Sequence, residues 1–220
     1  MSVYDDRVCL AWLGYFINHP ASRFLATFVT TMHTTLHQRF DFLRAGIRSL
    51  RTMGSLAPSS RFLCRSIVAK IDPLRAHVVV ELGAGDGVLT HYLLRRLGPR
   101  ARLIVFEINL TFVEQIRREV NDPRLLVVHD SAENMGIYLH QNGISAVDYV
   151  VSGIPFVMLP EALTHTIIKN CRRWLRTDGW FIQFHYSPRL VGFYRRVFGN
   201  AEVDFVPLNF PPAIVISCKK

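Results

Sequence analysis

Val78-Val79-Val80-Glu81-Leu82-Gly83-Ala84-Gly85-Asp86-Gly87-Val88 organises the chain around it. The run up to Glu81 is apolar and β-branched, as in a buried parallel strand. Three glycines at alternate positions then make a tight turn, and helical spacing resumes from Val88 to Leu97. Glycine suits such a turn because a Cβ would hold a ligand away from the backbone, and the helix that follows offers unpaired N–H groups.

The spacing narrows the ligand. A dinucleotide fingerprint has the form GxGxxG, whereas this loop is ExGxGxG, the form typical of S-adenosylmethionine methyltransferases. The next strand, Arg102 to Glu107, ends in an acidic residue about where a second strand reaches ribose hydroxyls. Gly83, Gly85 and Gly87 are therefore expected to let the backbone approach the methionine part of the cofactor. Glu107 is expected to accept from both ribose hydroxyls, since an ionised carboxylate has two acceptor oxygens. Asp130, in the turn His129-Asp130-Ser131-Ala132 after a third strand, would accept from the adenine amino group, with Ser131 and Ala132 beside it. A solvated loop carboxylate is the alternative at Glu107 and at Asp130. Glu81 points back into the turn, where it would hold the loop amides and could reach the methionine amino group.

The 220 residues suffice for one well-packed domain plus an appendage, and half of them are apolar. Lys and Arg number 26 against 17 Asp and Glu, a formal charge of +9 that points to an anionic partner, nucleic acid or an acidic membrane surface. Cys9, Cys64, Cys171 and Cys218 are scattered, with no metal-ligand spacing, as in a reduced intracellular chain. The apolar run Val8 to Ile17 is too short to cross a bilayer and, with Asp5 and Asp6 ahead of it, makes a poor signal peptide. Any membrane contact is thus expected from the side, on the inner face of the cytoplasmic membrane.

Residues 1–55 lack a strand pattern and are rich in aromatics. Within them Phe40, Leu43, Ile47 and Leu50 fall on one helical stripe, with Arg44, Arg48 and Arg51 on a second. An apolar stripe flanked by arginines suits a helix lying in a lipid interface; a helix packed on its own domain with solvated arginines is the alternative. Pro58 breaks the pattern, and Ser59 or Ser60 then caps a new helix running to about Ile71. These two hydroxyls and Arg61 are candidates for substrate or membrane contact, or only a cap and a turn.

From Ala76 strands and helices alternate, which implies right-handed βαβ units in a parallel sheet. Strands are expected at 78–82, 103–107, 125–129, 149–152, 180–185, 201–206 and 213–218, and helices at 88–97, 110–119, 134–141, 161–175 and 190–198. The expected fold is an α/β, Rossmann-like, seven-stranded and mostly parallel sheet closed by a C-terminal antiparallel hairpin, with amphipathic helices ahead of it. The expected division is a membrane-binding segment over residues 1–55 and a methyltransferase domain over 56–220.

In such a sheet the ligand sits beyond the carboxyl ends of the strands. The fourth strand ends in Ser152-Gly153-Ile154-Pro155-Phe156. Nucleic-acid adenine methyltransferases carry a related run, Asn or Asp before proline and an aromatic, whose polar group binds the target amine. Here that position is Ser152 or is missing, which weighs against nucleic acid, while Phe156 keeps the apolar floor. The fifth strand supplies Gln183, His185 and Tyr186. Methyl transfer is an in-line displacement, so the protein aligns the partners and removes a proton from an ammonium nucleophile. His185 and Tyr186 are the candidates, and because strand residues alternate sides only one can face the pocket, with Tyr186 favoured.

With these residues in view, the chain resembles the bacterial phospholipid N-methyltransferases, which methylate phosphatidylethanolamine toward phosphatidylcholine. The resemblance lies in the basic segment ending Gly54-Ser55-Leu56-Ala57-Pro58-Ser59-Ser60-Arg61-Phe62-Leu63, the glycine turn, Val151-Ser152-Gly153-Ile154-Pro155-Phe156, and Phe181-Ile182-Gln183-Phe184-His185-Tyr186. It implies a class I methyltransferase fold, S-adenosyl-L-methionine as cofactor without a metal, and an enzyme that binds anionic membrane and methylates a head-group amine up to three times. Similar enzymes methylate ornithine lipids, and the fold is shared with ribosomal RNA adenine dimethylases, so both remain alternative activities. A non-catalytic membrane-binding module on this scaffold is a third reading.

Overall fold

The computed structural model describes residues 60–220. The arginine stripe Arg44, Arg48 and Arg51, with Ser59 and the proposed 1–55 segment, lies outside the described residues.

A first helix, α1 (Arg61–Ala69), is followed by β1 (Val78–Leu82), α2 (Val88–Arg96), β2 (Arg102–Glu107), α3 (Leu110–Glu119), β3 (Leu125–His129), α4 (Met135–Gln141), β4 (Val147–Ser152), α5 (Glu161–Trp174), β5 (Leu175–His185), α6 (Val191–Phe198), β6 (Glu202–Val206) and β7 (Ala213–Lys219). One seven-stranded sheet runs in the order β3-β2-β1-β4-β5-β7-β6. β1 to β5 pair in parallel, and β7 lies antiparallel between β5 and β6. This is the expected class I methyltransferase sheet, with the closing hairpin arranged so that the last strand is internal.

β1 and β4 sit at the centre and are buried on both faces, which is why they read as near-continuous apolar runs rather than as alternation. α1 is amphipathic and turns Leu63, Cys64 and Ile67 inward. Ser60, rather than Ser59, caps it: its Oγ accepts from the Leu63 N–H at 3.2 Å. Lys70, at the far end of α1, ion-pairs with Asp204 on β6.

Two strands begin two or more residues earlier than expected. β5 begins at Leu175, so the helix before it stops at Trp174, and Asp178 takes a positive φ of 67° within the extension. β4 begins two residues earlier than expected because Asp148 is buried there as a staple. One of its carboxylate oxygens accepts from the His77 and Val78 amides, both at 2.8 Å, and the other from Arg176 at 2.8 Å. No helix among the described residues is long and apolar enough to cross a membrane.

Candidate active site

The carboxyl ends of β1, β2, β4 and β5 share one edge of the sheet, and the glycine turn lies at its centre. The three glycines all have positive φ, 71°, 58° and 81°, a region that favours glycine. They differ in what a Cβ would meet. At Gly83 it would lie 2.9 Å from Ile154 Cγ1, and at Gly87 2.9 Å from Ile116 Cγ1, so these two are small to allow packing. At Gly85 nothing stands within 4 Å. Of the three expected to admit a ligand, Gly85 alone faces open space.

Glu107 holds this turn in place. Its Oε2 accepts from the Gly85 N–H and its Oε1 from the Asn109 N–H, each at 2.8 Å. Both oxygens face the turn as acceptors, and a carboxylate with two oxygens is what a vicinal diol needs. Burial raises the pKa of this carboxyl, and the Asn109 and Gly85 amides draw it down.

Glu81 does not hold the loop amides, contrary to expectation, because Glu107 has taken that place. Glu81 is instead fully buried; its Oε2 accepts from the Thr90 hydroxyl at 2.7 Å, and its Oε1 has no partner. Burial, with the nearby charges of Glu107 and Asp86, raises its pKa to about 8. An orphaned buried carboxylate oxygen beside a glycine turn fits a cationic ligand group such as the amino group of an amino acid. Cys64, one turn into α1, feels the charges of Glu81 and Asp86, and its thiol is pushed up to about 12 chiefly by burial. The first turn of α1, which Arg61 opens, therefore passes near this corner.

Beyond β3, Asp130 Oδ1 accepts from the Ser131 N–H at 2.6 Å and the Asn134 amide at 3.0 Å, and Oδ2 from the Tyr138 hydroxyl at 2.9 Å. Only Oδ2 keeps a lone pair for an adenine amino group. Ser131 caps the turn that follows, and it and Ala132 are buried. Thr90, Asn109, Asn134 and Tyr138 are supports the sequence reading did not name; the i+2 or i+4 spacing of Asn109 and Asn134 from an acidic strand end was the available signal.

The runs 151–156 and 181–186 meet at Ile154. Ser152 Oγ accepts from the Ile154 N–H at 3.2 Å, and Gln183 Nε2 donates to the Ile154 carbonyl at 3.1 Å. Ile154 then packs against Gly83, and Gly153 is pressed so close that a Cβ there would lie 2.8 Å from the Gly83 carbonyl oxygen. Ser152 is wholly buried, so its hydroxyl shapes the turn rather than lining a pocket. Phe156 is likewise 2 % exposed, below the surface, and is not an open floor.

Phe184 takes that place. Its ring edge lies 3.7 Å from where a Gly153 Cβ would stand, and it meets Tyr186 edge-on at 6.0 Å between centroids. Tyr186 is 41 % exposed, and its hydroxyl is hydrogen-bonded to the Asn209 side chain. Burial raises the Tyr186 pKa. His185 points through the other face of the sheet, as alternation requires. It is 4 % exposed, its Nε2 lies 2.8 Å from the Tyr194 hydroxyl, and burial lowers its pKa to about 4. As a neutral core histidine it is withdrawn from the catalytic set.

Comparison with known proteins agrees with this geometry. Residues 79–179 match the family model described as a methyltransferase domain. An ornithine lipid N-methyltransferase from Singulisphaera acidiphila is 36 % identical over 182 residues, covering 82 % of this chain and 95 % of that protein. An rRNA methyltransferase from Streptomyces thermotolerans is 32 % identical over 57 % of this chain and 38 % of its own length. Among solved structures, the Burkholderia thailandensis 1,6-didemethyltoxoflavin-N1-methyltransferase, with S-adenosylhomocysteine bound, superposes with a TM-score of 0.63 at 17 % identity, over 84 % of this chain and 89 % of that one. The chain belongs to the bacterial lipid N-methyltransferases, enzymes that use S-adenosylmethionine on a class I methyltransferase fold.

Proposed function

We propose that the enzyme methylates the primary amine of a membrane-lipid head group at an anionic membrane surface, ornithine lipid first and phosphatidylethanolamine second. The observation that carries this reading is the near full-length likeness to an ornithine lipid N-methyltransferase, 95 % of that protein, against 38 % for the rRNA methyltransferase. The acceptor corner agrees with it. The position that is Asn or Asp in the adenine enzymes is a buried serine bonded to its own turn, so a base amino group would lack its polar clamp.

S-adenosylmethionine supplies an electrophilic methyl group on a sulfonium. Glu81, Gly85, Glu107 and Asp130 are the residues we assign to hold it. Tyr186 would orient the amine by accepting one of its N–H bonds, and the faces of Tyr186 and Phe184 suit an acceptor that becomes a fixed cation as methyls accumulate. Residues 1–55, through Arg44, Arg48 and Arg51, would hold the enzyme on the inner face of the cytoplasmic membrane.

The test is transfer of labelled methyl from S-adenosylmethionine to anionic vesicles containing either ornithine lipid or phosphatidylethanolamine, with ribosomal RNA in parallel. Label in one lipid, rising with the anionic content of the vesicle, is the expected result and identifies the amine. Label in RNA alone would overturn the reading.

A further inference from the structure

The loop between β6 and β7 is built inside out. Its polar residue, Asn209, is 3 % exposed; the side chain donates to the Pro211 carbonyl at 2.7 Å and is hydrogen-bonded to Tyr186. The apolar neighbours on either side, Leu208 and Phe210, stand 67 % and 89 % exposed. Single exposed apolar side chains are ordinary, but these are grouped. Ile214 pairs with His185 and Ala213 with Val206, so residues 207–212 leave the sheet at the edge where β5 delivers Tyr186. β4 ends at the same edge, and the turn after it presents Val157 and Met158 to solvent.

Cations stand beside this rim. Arg189 is exposed three residues beyond Tyr186, and Arg61 is exposed where α1 begins near the glycine turn. Neither forms an ion pair among the described residues. Apolar side chains at the crest with arginines around them match the cross-section of an anionic bilayer interface, where phosphates lie above the acyl boundary.

We propose that the 207–212 loop, with Val157 and Met158, is a membrane-insertion surface that seats the mouth of the active site in an anionic bilayer. Leu208 and Phe210 enter the acyl boundary, and Arg61 and Arg189 meet lipid phosphates. Asn209 ties the inserted loop to Tyr186, so the residue that orients the amine is held at the depth of the head groups. This rests on the lipid-amine reading above and adds to it a contact made by the methyltransferase domain itself.

The test uses the full chain and vesicles of equal parts phosphatidylglycerol and phosphatidylcholine, some brominated near the head of the acyl chain. In Phe210→Trp the added emission should be quenched by the brominated lipid. A Leu208→Ser/Phe210→Ser variant should partition onto vesicles about tenfold less than wild type. Its affinity for S-adenosylmethionine should be unchanged, which also checks that it folds. If the added tryptophan is unquenched and the double variant partitions as wild type does, while wild type still methylates vesicle lipid, the loop proposal falls and the lipid reading stands. Wild type that neither binds vesicles nor methylates lipid would overturn both. Tryptophan emission already blue-shifted without vesicles would mean that residues 1–59 or a second copy covers the loop, and would also overturn the proposal.

Discussion

At Gly85 a missing Cβ leaves room for a ligand, and at Glu81 a buried oxygen lacks a partner; these two residues carry most of the cofactor argument. Glu81 also makes a pH-dependent statement. In the folded chain it titrates at about 8, against an ordinary 4.5, so between those values the folded state keeps a proton that the unfolded state has released. Its contribution to stability is complete below the ordinary value and is lost as pH rises toward 8. Glu81→Gln removes that loss. Thermal unfolding of the ligand-free variant should therefore shift upward relative to wild type at pH 8 by more than at pH 5. The same substitution removes the carboxylate assigned to the cofactor's amino group. Affinity for S-adenosylmethionine should rise from pH 6 to pH 8 in wild type as Glu81 ionises, and should be weaker and flat in the variant. A variant with unchanged, pH-dependent affinity would remove Glu81 from the cofactor site.

The elements β4 and β5 act together through Ile154, whose amide and carbonyl are clamped by Ser152 and Gln183. Ser152→Ala leaves the Ile154 N–H without its acceptor, a loss of about 1 kcal/mol or somewhat more in a buried turn. The expected outcome is a drop of a few degrees in melting temperature and a raised KM for the lipid amine, with cofactor affinity changed much less. An unchanged acceptor KM would show that the turn does not shape the acceptor pocket. This element also shows how much the sequence disclosed. The strand-turn-helix at Val78–Val88, the sheet and the acidic strand ends were legible because each depends on local period or on glycine. The division of labour was not legible, because it depends on which side chains meet across strands. Glu107 rather than Glu81 takes the Gly85 amide, and Phe184 rather than Phe156 lies at the acceptor corner. Strand alternation alone separated Tyr186 from His185, but only the Tyr194 hydroxyl shows what His185 does instead.

At the scale of the whole described domain, a second group of cations lies away from the Tyr186 rim. α5 and α6 run from the site edge to the opposite edge, and between them a cleft of about 630 Å³ is lined by Lys169, Arg172, Arg173, Arg196 and Lys220. Several of these occupy the last turns of their helices, where a cation is favoured by the helix dipole. A strand the length of β4 spans roughly 20 Å, at about 3.3 Å per residue. That is about two screening lengths at 0.1 M salt, so a bilayer touching the Tyr186 rim is nearly out of reach of these cations once bound. They should act during approach, when the field of the whole molecule is felt at low salt. Reversing two of them, as in Arg172→Glu/Arg196→Glu, should slow association with anionic vesicles at about 0.01 M salt, where screening extends to about 30 Å, and should leave dissociation nearly unchanged. At about 1 M salt the association rates of variant and wild type should converge. A faster dissociation in the variant would mean that the α5–α6 cleft itself holds lipid, and that the enzyme lies on the membrane by its side rather than by its mouth.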